Sequence, residues 1–75
     1  MNIKPVLIRT LPIRLGQFLK FADAVQDGVE ARIRITEGEV KVNGELELRR
    51  GRQLADEDVI EYANEFLQVK LQETP

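Results

Sequence analysis

The most distinctive chemistry in this chain comes from basic side chains between Asp27 and Arg52, where six of its eleven Lys and Arg residues lie. Arg49, Arg50 and Arg52 place three positive charges in four positions. Like charges at this spacing repel one another and favour a bound anion, and the planar guanidinium group can donate two hydrogen bonds to one phosphate. The stretch therefore indicates a surface for phosphate groups, as nucleic acids present them.

The residue types that usually support catalysis or metal binding are missing, because the chain contains no His, Cys or Ser. Nucleophilic catalysis normally uses Ser or Cys with a His base, and His and Cys are the common ligands of transition metals. An enzyme built on carboxylates would need a cleft that so short a chain can rarely enclose. We therefore expect a protein that is not an enzyme, with no metal, no cofactor and no small-molecule substrate.

The net charge of −2 conceals an uneven distribution. Residues 1–52 carry ten Lys and Arg against seven Asp and Glu, a net of +3, whereas residues 53–75 carry one against six, a net of −5. A local basic patch matters more for phosphate binding than the total charge does. The acidic end is expected to face away from any polyanion.

Length and hydropathy predict one cytoplasmic domain over residues 1–75. The sequence has no apolar run long enough to span a membrane, and its first residues are too charged for a secretory signal. The absence of Cys fits a reducing compartment. We expect no membrane partner.

Residues 3–9 and 13–25 predict a strand followed by a helix. The first segment is β-branched, and Pro5 makes it a strand start or an edge strand. The second has apolar residues at steps of three and four, namely Leu15, Phe18, Leu19, Ala22 and Val25. We expect Phe18 and the neighbouring Phe21 to be buried. Stacking of a nucleic-acid base on either ring is the minor alternative.

Residues 28–36 fit a strand and a helix equally well. Val29, Ala31, Ile33 and Ile35 alternate with polar residues, as in a strand. Asp27 and Glu30 have the spacing of a capping box, however, and Gly38 suits the end of a helix. A helix here would carry apolar residues on two opposite faces, so both would need to be covered.

Residues 39–48 predict a hairpin with Asn43-Gly44 at its tip. A two-residue turn would pair Val42 with Glu45 and Val40 with Glu47, which places apolar and acidic side chains on one face. We therefore expect a loop of odd length, with Gly44 at positive φ.

The remaining segments read as turns and strands. Residues 49–52 predict a turn, Leu54 and Val59–Tyr62 a strand interrupted by the acidic turn 55–58, and residues 63–65 another turn. Residues 66–71 predict a strand with Leu67, Val69 and Leu71 on one face, long enough to pair with residues 6–9. Residues 72–75 are expected to fray.

Four stretches together resemble a known family, the S4 RNA-binding domain, and in particular its small stand-alone bacterial members. The stretches are Leu15–Lys20, Glu30–Arg32, Glu37–Gly44 and Arg49–Arg52, of which Glu-Gly-Glu-Val-Lys-Val-Asn-Gly is the most specific. The resemblance covers about residues 13–62. It implies the αL motif, an α+β fold of two helices packed on a small, mainly antiparallel sheet, with residues 28–37 helical.

This chain departs from the family pattern at three places. Larger members have Asp where this chain has Gly16, a basic pair where it has Val29-Glu30, and Gly-Asp where it has Glu57-Asp58. The first two departures leave open whether it binds the same RNA feature as those members. The third is expected to change only the turn.

The resemblance implies binding of structured RNA, ribosomal or transfer RNA, through the helix pair and the Arg-rich loop. The candidate residues are Lys20, Arg32, Arg34, Lys41, Arg49, Arg50 and Arg52. For Arg34 and Lys41, ion pairing with nearby Glu residues is an equally good explanation. Three of the four aromatic residues (Phe18, Phe21, Phe66) are expected in the core, which argues against sequence-specific stacking. A protein-interaction module is the alternative function, and a strand at residues 29–36 would favour it.

Overall fold

The computed structural model describes residues 2–72. Within them the elements in chain order are β1 (Ile3–Ile8), β2 (Ile13–Arg14), α1 (Leu15–Phe21), α2 (Gly28–Thr36), β3 (Lys41–Val42), β4 (Glu45–Leu46), β5 (Gln53–Leu54), β6 (Val59–Tyr62) and β7 (Glu65–Leu71). None of the helices in this part of the chain has the length and apolar character needed to cross a membrane.

A five-stranded sheet of order β1-β7-β6-β3-β4 forms one layer, and both helices pack on one of its faces. The pairs β7-β6, β6-β3 and β3-β4 are antiparallel, whereas β1 and β7 are parallel. The expected α+β class and the expected pairing of the first and last strands are confirmed. β1 is an edge strand, as Pro5 predicts, because proline cannot donate to a second neighbour.

The buried core joins the two helices to this sheet. It contains Leu15, Phe18 and Leu19 of α1, Ala31 and Ile35 of α2, and Ile8, Val42, Ile60, Leu67 and Val69 of the sheet, together with Val25, Val40 and Leu54. Phe18 is fully buried, as expected, but Phe21 is 62% exposed, so its assignment to the core was wrong. Leu67 and Val69 are buried as predicted, whereas Leu71 at the strand end is 40% exposed.

The first helix is shorter than the predicted span of residues 13–25. Ile13 and Arg14 instead pair with Leu54 and Gln53, forming a separate two-stranded sheet. The helix ends at Ala22, and Asp23 adopts a φ of 58°, a left-handed conformation that Asp tolerates. The loop that follows returns Val25 to the core. Val25 is therefore buried on the side that the helical spacing predicted, although it lies in a loop and not in the helix.

The second segment is a helix, as the resemblance implied. Asp27 caps it by accepting a hydrogen bond from the Glu30 N–H at 2.9 Å, and Glu30 Oε1 accepts one from the Gln26 N–H at 2.6 Å. Gly38 has a φ of 82° just beyond the last turn. Only one face is covered: Ala31 and Ile35 are buried, while Val29 is 60% and Ile33 44% exposed. The caps therefore outweigh the alternating pattern.

The hairpin tip has two residues, so the prediction of an odd-length loop was wrong. Val42 pairs with Glu45 and Lys41 with Leu46. Asn43 and Gly44 have φ values of 52° and 84°, as a type I′ turn requires, and the positive φ of Gly44 is confirmed. The parity argument failed because Glu47, not an apolar residue, is buried opposite Val40, whose carbonyl accepts the Glu47 N–H at 3.1 Å.

The later turns lie where they were predicted. The turn at residues 55–58 connects Leu54 and Val59–Tyr62, but these belong to different sheets and not to one strand. Ala63 and Asn64, with φ values of 54° and 64°, form the turn between β6 and β7. The Gln72 N–H donates to the Ile8 carbonyl at 2.7 Å. The rest of the predicted frayed end, residues 73–75, lies outside the described residues.

The Asn43 side chain ties the hairpin tip to β6, which gives a test of this register. Its amide nitrogen donates to Asp58 at 3.0 Å, and its oxygen accepts the Val59 N–H at 2.9 Å. We expect Asn43→Ala to lower the free energy of unfolding by about 2 kcal/mol, through lost hydrogen bonds and left-handed strain. Urea denaturation at neutral pH measures this loss.

Asn64→Ala is the matched control. Asn64 has nearly the same φ but makes no side-chain hydrogen bond to another residue within 2–72. Its replacement should cost only the strain, about 1 kcal/mol. Equal losses for the two variants would show that the Asn43 side chain does not hold the tip.

Candidate nucleic-acid interface

The Arg-rich loop is organised by the carboxylate of Glu47, which is 6% exposed. Arg49 donates to it from Nε at 3.0 Å and from its backbone N–H at 3.1 Å, and Arg52 donates from Nη1 at 2.7 Å. Hydrogen bonds from Arg49, and then from Arg52, lower the pKa of Glu47 to about 2. The same contact raises the pKa of Arg49.

This ion cluster corrects the expectation that all three loop arginines need an external anion. Arg49 and Arg52 share an anion supplied by the chain itself, one that the sequence pattern had assigned to the solvent face of the hairpin. Arg50 is exposed and has no carboxylate partner within residues 2–72. The loop therefore has two residues that hold its shape and one whose charge is available.

Backbone hydrogen bonds attach the loop to the start of α1. The Leu15 N–H donates to the Arg52 carbonyl at 2.8 Å, and the Gly16 N–H donates to the Arg50 carbonyl at 3.0 Å. A β-carbon at Gly16 would lie 3.6 Å from that of Arg50 and 3.9 Å from that of Ala31. Helices α1 and α2 and the Arg-rich loop thus meet at Gly16.

A depression of about 210 Å³ lies at this junction, and we call it the basic groove. Its walls are Arg14, Gln17 and Lys20 from the α1 side, Gly28 and Ala31 from α2, and Arg50 from the loop. Three of these residues carry positive charge, and no Asp or Glu in the described part of the chain lines the groove. The arrangement can hold a chain of phosphates by charge and by hydrogen bonds from guanidinium groups.

Ion pairing divides the cations of the chain into two groups. Within residues 2–72, carboxylates lie within 4.0 Å of Lys4, Arg34, Arg49, Arg52 and Lys70. The described residues provide no such partner for Arg9, Arg14, Lys20, Arg32, Lys41 and Arg50. Three of the six unpaired cations line the basic groove.

The seven predicted site residues therefore fall in different places. Lys20 and Arg50 line the groove, whereas Arg32 is exposed on α2 one helical turn after Gly28 and does not line it. Arg34 is held by Glu30 at 3.5 Å and by Glu39 at 3.3 Å. Lys41 lies across from Glu61 on the sheet face opposite the helices. Arg49 and Arg52 bind Glu47.

Sequence reasoning missed Arg14, which falls within the helix predicted for residues 13–25. The position of Arg14 depends on the pairing of β2 with β5, a contact between residues about forty apart that no local pattern marks. As for other ligands, residues 2–72 bring no three carboxylates together in a way that could hold a metal ion.

Comparisons with known proteins show which family and fold the chain is similar to. Residues 6–70 match a family model described as S4 domain. The chain is 51% identical over 57 residues to a Bacillus subtilis (strain 168) protein named "Probable ribosome maturation protein RlbA", and the match covers 76% of this chain and 80% of that protein. It also resembles the solution structure of YbcJ from E. coli, described as revealing an αL motif involved in RNA binding. That match has a TM-score of 0.70 and 28% identity, and covers 93% of this chain and 90% of YbcJ.

The depressed pKa of Glu47 predicts how stability depends on pH. A carboxyl whose pKa falls from 4.5 to about 2 on folding stabilises the protein fully above pH 4.5, and this contribution is lost as the pH falls towards 2. We expect Glu47→Gln to lower the free energy of unfolding at pH 7 by about 2 kcal/mol, because both arginines lose a charged acceptor. The unfolding free energies of variant and parent should converge as the pH approaches 2.

Urea denaturation between pH 2 and pH 7 measures both effects. Glu45→Gln is the control, because Glu45 is an exposed acid on the same hairpin. Its difference from the parent should stay near zero throughout. If the Glu47→Gln difference did not shrink with falling pH, the ion cluster would not be what stabilises the loop.

Proposed function

The chain belongs to the S4 domain family, and we propose that it is a non-catalytic module that binds structured RNA through the basic groove. The proposal treats residues 1–75 as one domain with one binding face. It requires no reaction step, because fixed cations can bind a phosphate backbone without one.

The observation that carries the proposal is that no acidic side chain of the described residues 2–72 lines the basic groove. The chain has thirteen Asp and Glu residues, more than its eleven Lys and Arg. Within residues 2–72, however, none of these acids lines the groove that Arg14, Lys20 and Arg50 line. Uncompensated cations repel one another across the groove. A polyanion relieves that repulsion and releases its own counterions on binding.

We rank the cations by how much each is proposed to contribute to phosphate binding, according to its position. Arg14, Lys20 and Arg50 are the principal contacts, and Arg32 extends them along α2. Arg49 and Arg52 act first by holding the loop, although the Arg49 side chain is 75% exposed and can still reach a phosphate. Arg34 and Lys41 contribute least, because one is paired and the other lies on the far face of the sheet.

The shape of the site and the names of the relatives support a proposal about the class of RNA. A double-stranded RNA helix presents phosphates and 2′-hydroxyls and is recognised mainly by shape, which suits a small set of fixed cations. One relative is named as a ribosome maturation protein, and the similar solved structure is described as having a motif involved in RNA binding. We therefore propose ribosomal RNA as the target, with transfer RNA as the second class to test.

The alternative of a protein-interaction module loses its sequence argument. A strand at residues 29–36 would have favoured that alternative, and α2 occupies this segment instead. Val29 and Ile33 are exposed on α2, but neither residue lines the basic groove.

Neutralising the groove tests the proposal directly. We expect Lys20→Gln and Arg50→Gln each to weaken binding to a ribosomal RNA fragment by about five-fold, the cost of one charged contact. Each should also reduce the slope of log affinity against log salt by about 1. Fluorescence anisotropy across a salt series gives both quantities.

Lys4→Gln and Lys70→Gln are matched controls, because each removes one positive charge that is already paired with a carboxylate. Both should leave affinity and salt slope within about two-fold of the parent values. If all four variants lost affinity equally, net charge and not the groove would explain the binding. If the parent showed no salt-dependent RNA binding, the proposed function would be wrong.

A further inference from the structure

Phe21 is the most exposed of the four aromatic rings; Phe66, which was also expected in the core, is half-buried outside it. Phe18 is fully buried and Tyr62 and Phe66 are half-buried, whereas Phe21 is 62% exposed at the last turn of α1. Exposing a ring of this size forgoes the free energy that its burial would give. Apolar residues that are exposed together, with polar residues around them, commonly mark a binding site.

The ring lines a second depression, of about 670 Å³, which we call the aromatic pocket. Leu7, Pro12 and Ile13 also line it, and Arg9 and Lys20 supply two positive charges. Among residues 2–72, no Asp or Glu lines it. Its volume lies in the range of about 300–1,000 Å³ that is usual for sites that bind small molecules.

The aromatic pocket continues the basic groove along the exposed side of α1. Gln17 and Lys20 line both depressions. Residues three and four positions apart lie side by side on a helix, so Gln17, Lys20 and Phe21 form one continuous surface. A ligand whose phosphates lie along the groove can therefore reach the pocket without leaving the protein.

We propose that the aromatic pocket takes one unpaired base of the bound RNA, which stacks on Phe21 while its flanking phosphates contact Lys20 and Arg9. This inference rests on the proposed function and narrows its target. The protein would prefer structured RNA with a bulged or junction nucleotide over a continuous duplex. Bases in a duplex are already stacked on one another, whereas an unpaired base can be placed on an aromatic side chain.

Charge favours this ligand over a protein segment. An apolar peptide would bring nothing to compensate Arg9 and Lys20, whereas an unpaired nucleotide combines an aromatic ring with a phosphate. The pocket offers the same combination, a ring beside two cations. Stacking on a side chain tolerates every base, so the pocket selects unpaired structure and not sequence.

Two hairpin RNAs provide the test. One carries a single bulged nucleotide, a fluorescent adenine analogue whose emission falls on stacking, and the other has the same stem fully paired. We expect the parent protein to bind the bulged RNA about ten-fold more tightly and to quench the analogue. Phe21→Ala should abolish the preference and the quenching, and Phe21→Trp should keep both.

Leu46→Ala is the matched control, because Leu46 is an exposed apolar side chain, 56% exposed, on the sheet face away from the helices. It should change neither the preference nor the quenching. Circular dichroism and urea denaturation confirm that the Phe21 variants are folded.

Each other outcome overturns the inference. A preference and quenching that survive Phe21→Ala would mean that the pocket does not hold the base and serves another partner, such as a protein. Equal weakening of both RNAs by Phe21→Ala would make the ring a support for the groove. A parent protein that binds the two RNAs equally well would retain the proposed function without the pocket, and one that binds neither would refute both.

Discussion

The contact between Glu47 and two arginines is the constraint on which the binding face depends. A buried carboxylate is costly unless it is paired and hydrogen-bonded, and Arg49 and Arg52 satisfy both conditions. Their pairing shapes the loop whose carbonyls accept the first N–H groups of α1. The position of α1 therefore depends on a carboxylate that does not line the basic groove. The side of the groove that α1 supplies depends on it too.

The binding face is produced as much by ion pairing elsewhere as by the cations that line it. Glu30, Glu39 and Glu47 occupy three arginines, so that Arg34, Arg49 and Arg52 add little to the free positive field. The cations without such partners in residues 2–72 include all three that line the groove. Neither the net charge nor the count of arginines in the loop describes this surface, because partners and not totals decide which charges a phosphate meets.

Local rules predicted most elements of the fold but not the contacts between them. The edge strand at Pro5, the cap at Asp27, and the turns at Gly44 and Asn64 each follow from a residue's own conformational limits. The errors arise where a distant partner decides. The two-residue turn requires Glu47 inside, which only the arginines explain, and α1 starts late because Ile13 and Arg14 pair with β5. Two of the seven predicted RNA-binding residues line the groove, and the other five do not. The sequence shows which residues are charged but not which residues lie next to them in the fold.

In the short helix α1, the residues that stabilise the fold and those proposed to bind RNA lie on different sides. Its seven residues place Leu15, Phe18 and Leu19 in the core, which leaves Gly16, Gln17, Lys20 and Phe21 along the groove and the pocket. The buried side supplies rigidity, since three fully buried apolar side chains fix the helix against the sheet. The exposed side then presents four features at fixed spacing: the close backbone contact at Gly16, the amide of Gln17, the charge of Lys20 and the ring of Phe21. One helix of two turns can thereby present the proposed phosphate-binding and base-stacking groups together, as the proposed distinction between an interrupted and a continuous RNA helix requires.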